Sequence, residues 1–152
     1  MKDFDIEIKK LNYLYENLSS GLIAIFGILL IIYFTFTDLV DFTNLSIWLV
    51  LNIALLVVRV ISLQSFKNTV ITEQNYAKYY QQFFLLASLT ALLWGSSAFF
   101  IFPNEIENQL ILVLLIFGLT TGSAITLASK IEIFHVYMLF IRFRESAHFL
   151  SH

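Results

Sequence analysis

Residues 87–129 read ASLTALLWGSSAFFIFPNEIENQLILVLLIFGLTTGSAITLAS, two uncharged apolar runs joined by the short turn 102–108, FPNEIEN. About 20 mostly apolar residues let a helix cross about 30 Å of hydrocarbon, so this stretch predicts a transmembrane helical hairpin. Ala87, Ala91 and Gly95 recur every four residues on the first arm, a spacing that stacks small residues on one helix face. Gly118 and Gly122 repeat it on the second arm. Small residues at this spacing usually let two membrane helices approach closely. These five are therefore read as a helix-packing face, and a bulky residue at Gly122 is expected to loosen the hairpin. Glycines that admit a ligand close to the backbone are the less common meaning of the same pattern.

Two further apolar runs precede the hairpin. Residues 21–37 carry no charge and end in Tyr33, Phe34 and Phe36, after which Asp38 and Asp41 mark a return to water. Such aromatics suit a headgroup boundary. Residues 45–63 hold Trp48 near one edge and a single charge, Arg59, toward the other. An arginine within about a turn or so of the boundary is expected to extend its guanidinium to the headgroups, the alternative being a buried partner. The third and fourth spans are placed at 83–102 and 109–129. Thr120, Thr121 and Ser123 are expected to bond back to carbonyls of their own helix.

The composition agrees with a membrane class. The chain is 152 residues, 59% hydrophobic and 13% charged, against roughly 45–50% apolar and about 25% charged in soluble domains. Mean hydropathy is +0.80. This much apolar surface exceeds what one small globule can bury.

The segments outside the spans are of three kinds. At the start, Phe4, Ile8, Leu11, Leu14, Tyr15 and Leu18 recur at helical spacing with charges between them, predicting an amphipathic helix on the membrane surface over residues 1–19. The polar stretch 64–82 lacks Gly and Pro, so helix extensions and a short bend are expected there. Residues 133–141 are apolar but too short to span, and 142–152 form a polar tail. The predicted fold is thus all-α: a polytopic membrane helix bundle over 20–141 with four transmembrane helices, an N-terminal amphipathic helix and a short C-terminal apolar segment.

Charge sets the expected orientation. Lys2, Lys9, Lys10, Lys67, Lys78 and Lys130 fall on one side, whereas Asp38, Asp41, Glu105 and Glu107 occupy the opposite loops without a basic residue. The positive-inside rule then places the N-terminus in the cytoplasm of a multi-pass inner-membrane protein.

No complete chemical site is visible. Cysteine is absent and net charge is −2, which removes thiolate chemistry and leaves no basic field to recruit nucleic acid. Glu105 and Glu107 share a solvated turn, and His135 has no placed partner. His148 and His152, four apart with Glu145 one turn earlier, read as an incidental tail rather than a metal pair. No phosphate loop, zinc signature or serine elbow occurs, so catalytic, cofactor and metal residues are all expected to be none, and the chain is not expected to be an enzyme. The expected partners are the lipid bilayer and, through helix association, a second copy or another membrane protein.

Arg59, the polar linker, Trp94-Gly95, Phe102-Pro103, Gln109, Gly118, Gly122 and then Ser129, Phe134 and Tyr137 follow one another in an order that resembles the multi-pass N-terminal input region of bacterial diguanylate cyclases (GGDEF proteins) and related sensor histidine kinases. The resemblance covers about residues 45–140. It singles out Arg59, Trp94, Pro103 and Gln109 as family-motif positions, none of them catalytic. It implies about six spans followed by a cytoplasmic output domain, from which this chain departs within the fifth helix, after Phe140. The expected function is a membrane-embedded sensor or input fragment lacking its output domain. The alternatives are a small membrane protein acting by helix association and a transporter fragment.

Overall fold

The computed structural model describes residues 2–127, which form four helices: α1 Lys2–Phe36, α2 Phe42–Lys67, α3 Glu73–Phe100 and α4 Ile106–Leu127. The apolar segment 133–141, the tail 142–152 and Ser129, His135, His148 and His152 lie outside the described residues.

Helices α1, α2 and α3 are each long and apolar enough to cross a membrane. Their most apolar stretches bury only 22%, 33% and 39% of their residues inside the protein. A water-soluble bundle turns its apolar stripe inward. Here Ile23, Phe34, Phe99 and Phe117 stand on the outside with two-thirds or more of their surface uncovered, the arrangement that suits a lipid solvent. Helix α4 is equally apolar, and Thr120 and Thr121 donate to the carbonyls of Ile116 and Phe117 at 2.8 and 2.9 Å, as their place in an apolar helix requires.

Helix α1 is the centre of the arrangement. It packs against α2, α3 and α4, α2 also packs on α3, and α4 rests chiefly on α1. Two clusters hold these contacts. At the end carrying the N-terminus, Leu11, Tyr15 and Leu18 of α1 meet Leu63 and Phe66 of α2 and Tyr79 and Phe83 of α3. At the opposite end, Ile32 and Phe36 of α1 meet Leu45 and Trp48 of α2, Trp94 and Ile101 of α3, and Leu112 and Ile116 of α4.

The boundary expected near residue 20 is not a break in the helix. At about 1.5 Å per residue, the 35 residues of α1 reach about 52 Å, some 20 Å more than the hydrocarbon thickness. The C-terminal end of α2 and the N-terminal end of α3 project alongside and cover Leu11, Leu14, Tyr15 and Leu18, all of which are buried. The stripe that predicts an interfacial helix is therefore consumed by protein contacts. Tyr76 Oη donates to Glu7 Oε2 at 2.9 Å, and Lys10 Nζ lies 3.1 Å from Glu7 Oε1. The Tyr76–Glu7 bond ties α3 to the same face of α1, one turn before Leu11.

The connections are short and locally specified. Asp41 caps α2, its Oδ1 accepting from Asn44 N at 2.9 Å, one of the free amide groups of a helix start. Between α2 and α3 the linker is a bend, as its composition predicts, with Thr72 N donating to Asn75 Oδ1 at 2.8 Å. Between α3 and α4, Gln109 Nε2 donates to the Pro103 carbonyl at 3.0 Å and Asn108 Nδ2 to Glu105 Oε2 at 2.7 Å.

Candidate functional site

A cavity of about 310 Å³ lies between α1, α3 and α4, with Arg59 of α2 in its wall. Its apolar lining includes Leu18, Ile25, Ile28, Phe83 and Leu119; Asn17, Ser20, Arg59 and Thr90 supply polar groups. A mostly apolar cavity with a few convergent polar groups is the usual form of a small-molecule site, and its size is at the lower end of the roughly 300–1,000 Å³ such sites occupy.

Arg59 does not run along α2 to the boundary as the snorkelling expectation has it. Its side chain is half-buried and turned into the bundle, where Nη1 donates to Thr90 Oγ1 at 3.1 Å. Thr90 in turn donates to the Leu86 carbonyl at 2.7 Å. The threonine hydroxyl thus spends its proton on its own helix and offers a lone pair to the guanidinium.

Arg59 and Thr90 also line a second, smaller recess of about 10 Å³ together with Asn52 and Trp94, roughly the room one water needs. Asn52 Nδ2 donates to the Trp48 carbonyl at 2.9 Å and Trp48 Nε1 to the Leu93 carbonyl at 2.9 Å. Trp94 stands edge-on to Trp48, with centroids 5.2 Å apart and planes at 88°. Its indole Nε1, in a side chain 1% exposed, has no hydrogen-bond partner among the described residues. The buried Ser97 hydroxyl, one turn further along α3, is in the same position.

The five small residues of the hairpin do not meet as a packed face. Ala87 and Ala91 are buried against the cluster that contains Leu18 and Leu22 of α1. Gly118 and Gly122 line the cavity, as Ala87 does on α3, and a Cβ built on either glycine would meet nothing within 4 Å. Gly95 is half-buried in α3. The two arms contribute walls to one space, and α3 packs chiefly against α2 and more lightly against α1, rather than against α4.

Of the family-motif positions, Arg59 and Trp94 come together at the recess. Pro103 and Gln109 meet each other in the turn, where the glutamine amide holds the proline carbonyl. Thr90 and Asn52 belong to the site and went unread in the sequence. Each is a polar residue in an otherwise apolar run, which is itself a signal, but neither carries charge and both look like routine helix-bonding residues. Glu105 and Glu107 are both exposed. Among the described residues no group of three His, Cys, Asp or Glu side chains could hold a metal ion.

A wider cleft of about 460 Å³ opens at the opposite end of the bundle, between Asp38, Asp41 and the rings of Phe99, Phe100 and Phe102. Asp41 is already engaged there as the α2 cap.

Compared with family models, curated proteins and solved structures, the chain matches none. The resemblance to diguanylate cyclase input regions rests on the order of its motifs alone.

Proposed function

We propose that this chain is the membrane-embedded input region of a bacterial signalling protein of the diguanylate cyclase or histidine kinase type, and that the Arg59 cavity is where its stimulus acts. The observation that carries this reading is a charged, hydrogen-bonded side chain facing a cavity between apolar helices. A charge among membrane helices is costly to keep and usually marks a functional site. In this reading α4 is the fourth span, the N-terminus is cytoplasmic as the lysine distribution suggests, and the membrane is the bacterial inner membrane. A ligand that binds better when α4 stands at one distance from α3 would shift the population of bundle arrangements by its differential affinity. Signal would then pass along α4 to whatever follows it.

The test is a fusion of the full chain to a diguanylate cyclase catalytic domain, with cellular cyclic di-GMP as the readout. Gly118→Leu, which fills the cavity, should change output several-fold relative to the unsubstituted fusion. Placing the same catalytic domain after Asn108 should give no product, because that turn would face away from cytoplasmic GTP. Output indifferent to Gly118→Leu would overturn the input reading, and product from the Asn108 fusion would reverse the orientation.

A further inference from the structure

The first half of α1 keeps two large side chains outside its core. Ile6 and Tyr13 are 50% and 44% exposed. With Asn17, Ala24 and Ile28 they are spaced seven, four, seven and four residues apart, which holds all five on one helix face. Asn17, Ala24 and Ile28 line the cavity beside α4, so Ile6 and Tyr13 continue the cavity face of α1 toward its N-terminus. Helix α3 prolongs its own cavity face in the same direction. Tyr76 and Tyr80, three and seven residues before Phe83 and Ala87 respectively by helical spacing, are half-buried there, their rings parallel within 8° at 6.1 Å.

Helix α4 runs antiparallel to α1. Its Leu112 and Ile116 share a cluster with Ile32 and Phe36, while its Gly118 and Gly122 stand across the cavity from the Asn17–Ile28 stretch. With Leu112 level with Ile32 and the same rise of about 1.5 Å per residue in both helices, Leu127, where α4 ends, falls level with Asn17. The chain therefore goes on from the point where Tyr13 and Ile6 begin to lack an α4 neighbour. Residues 128–141 contain neither Gly nor Pro, and as a helix they reach about 21 Å. That length brings Ile133 within a turn of Tyr13 and Phe140 within a turn of Ile6. Ile133, Val136 and Phe140 then fall on the face of Gly118 and Gly122, at intervals of eleven, three and four residues after Gly122. A reversal at Lys130 into the cavity would instead carry Arg142 and Arg144 up among apolar helices, where a charge is costly. We infer that residues 128–141 prolong α4 and dock on the exposed stripe of α1, Ile133 against Tyr13 and Phe140 against Ile6. The inference goes beyond the input reading and does not depend on it. Where both hold, this segment is the rod by which movement of α4 reaches whatever follows.

Cysteine is absent from the chain, so pairs introduced into the full-length protein can be oxidised in native membranes without competing thiols. Tyr13→Cys with Ile133→Cys, and Ile6→Cys with Phe140→Cys, should each link within one chain at least tenfold faster than the out-of-register pair Tyr13→Cys with Phe140→Cys. Ala87→Cys with Val136→Cys should stay unlinked. Linkage of that last pair would show the segment folded back into the cavity and overturn the proposal. Linkage only between chains would overturn it too, by showing a second copy on the stripe, as would equal rates for the in-register and out-of-register pairs. A second readout uses the single-cysteine Ile6→Cys protein and a water-soluble maleimide. Phe140→Asp should speed its labelling several-fold, whereas Met138→Asp, about half a turn round the helix, should leave the rate unchanged. Equal effects of the two, or none from Phe140→Asp, would contradict docking through the Ile133–Phe140 face. None of these measurements involves an output domain, so their failure leaves the cyclase fusion test of the input reading untouched, and an unresponsive fusion leaves the docking standing.

Discussion

Tyr15→Ala should cost the folded bundle roughly 3–5 kcal/mol, the range for truncating a buried aromatic. Tyr15 is 1% exposed and joins three helices at once. Its ring stacks on Phe66 of α2 with centroids 3.8 Å apart and planes at 3°. It meets Tyr79 and Phe83 of α3 edge-on at 6.5 and 5.3 Å. Its hydroxyl donates to the Tyr79 carbonyl at 3.1 Å and lies 3.4 Å from Ser62 Oγ. At about 1.5 Å per residue, Tyr15 stands about 32 Å along α1 from Phe36, beyond one hydrocarbon thickness. With the hydrocarbon beginning at Phe36, burial against water would contribute in full there, as it would not between helices inside lipid. For a chain of this size the loss corresponds to a fall in Tm of roughly 6–20 °C, read by thermal unfolding in detergent. Tyr15→Phe keeps the stack and should cost only about 1 kcal/mol, the worth of a typical hydrogen bond. Equal losses for the two variants would mean that the ring contacts carry nothing.

Ala91→Leu should be the second large effect, and it should far exceed that of Gly118→Leu. Ala91 is fully buried in the cluster of α1, α2 and α3 side chains, and forcing extra methylenes into such a site costs about 1–3 kcal/mol. Gly118 presents open space to an added Cβ, and losing a mid-helix glycine returns up to about 1 kcal/mol of helix propensity. Thermal unfolding of the two variants should therefore show a marked fall for Ala91→Leu and little or none for Gly118→Leu. The reverse order would restore the packed hairpin and remove the cavity.

The helices were legible because hydropathy reports them directly. Asp38 and Asp41 after the first run and Pro103 at the turn mark helix ends that the structure places within a few residues, whereas α1 and α3 begin 19 and ten residues before the runs that start at 21 and 83. What composition does not encode is which helix lies against which. Ala87, Ala91, Gly118 and Gly122 have the same small-residue spacing on α3 and α4, and spacing describes one helix face without naming the surface opposite it. The structure buries the α3 alanines in a cluster shared with α1 and α2 and leaves space at the α4 glycines. The apolar stripe from Leu11 to Leu18 misleads in the same way, since an amphipathic period is equally satisfied by a headgroup layer and by the projecting ends of α2 and α3. Arg59 was legible as a residue of interest, but its partner was not, because Thr90 is 31 positions away and reads as an ordinary helix hydroxyl.

The central claim is that α1 is the partner of α4 and that a cavity separates α4 from the Phe83–Thr90 stretch of α3. The chain contains no cysteine, so an introduced pair supplies the only thiols. Ile32 and Leu112 are both fully buried in one cluster, whereas Ala87 and Gly122 stand in the wall of the cavity. Mild oxidation in native membranes should cross-link the Ile32→Cys, Leu112→Cys protein rapidly and leave the Ala87→Cys, Gly122→Cys protein unlinked. Rapid linkage of residues 87 and 122 with no linkage of 32 and 112 would contradict the account.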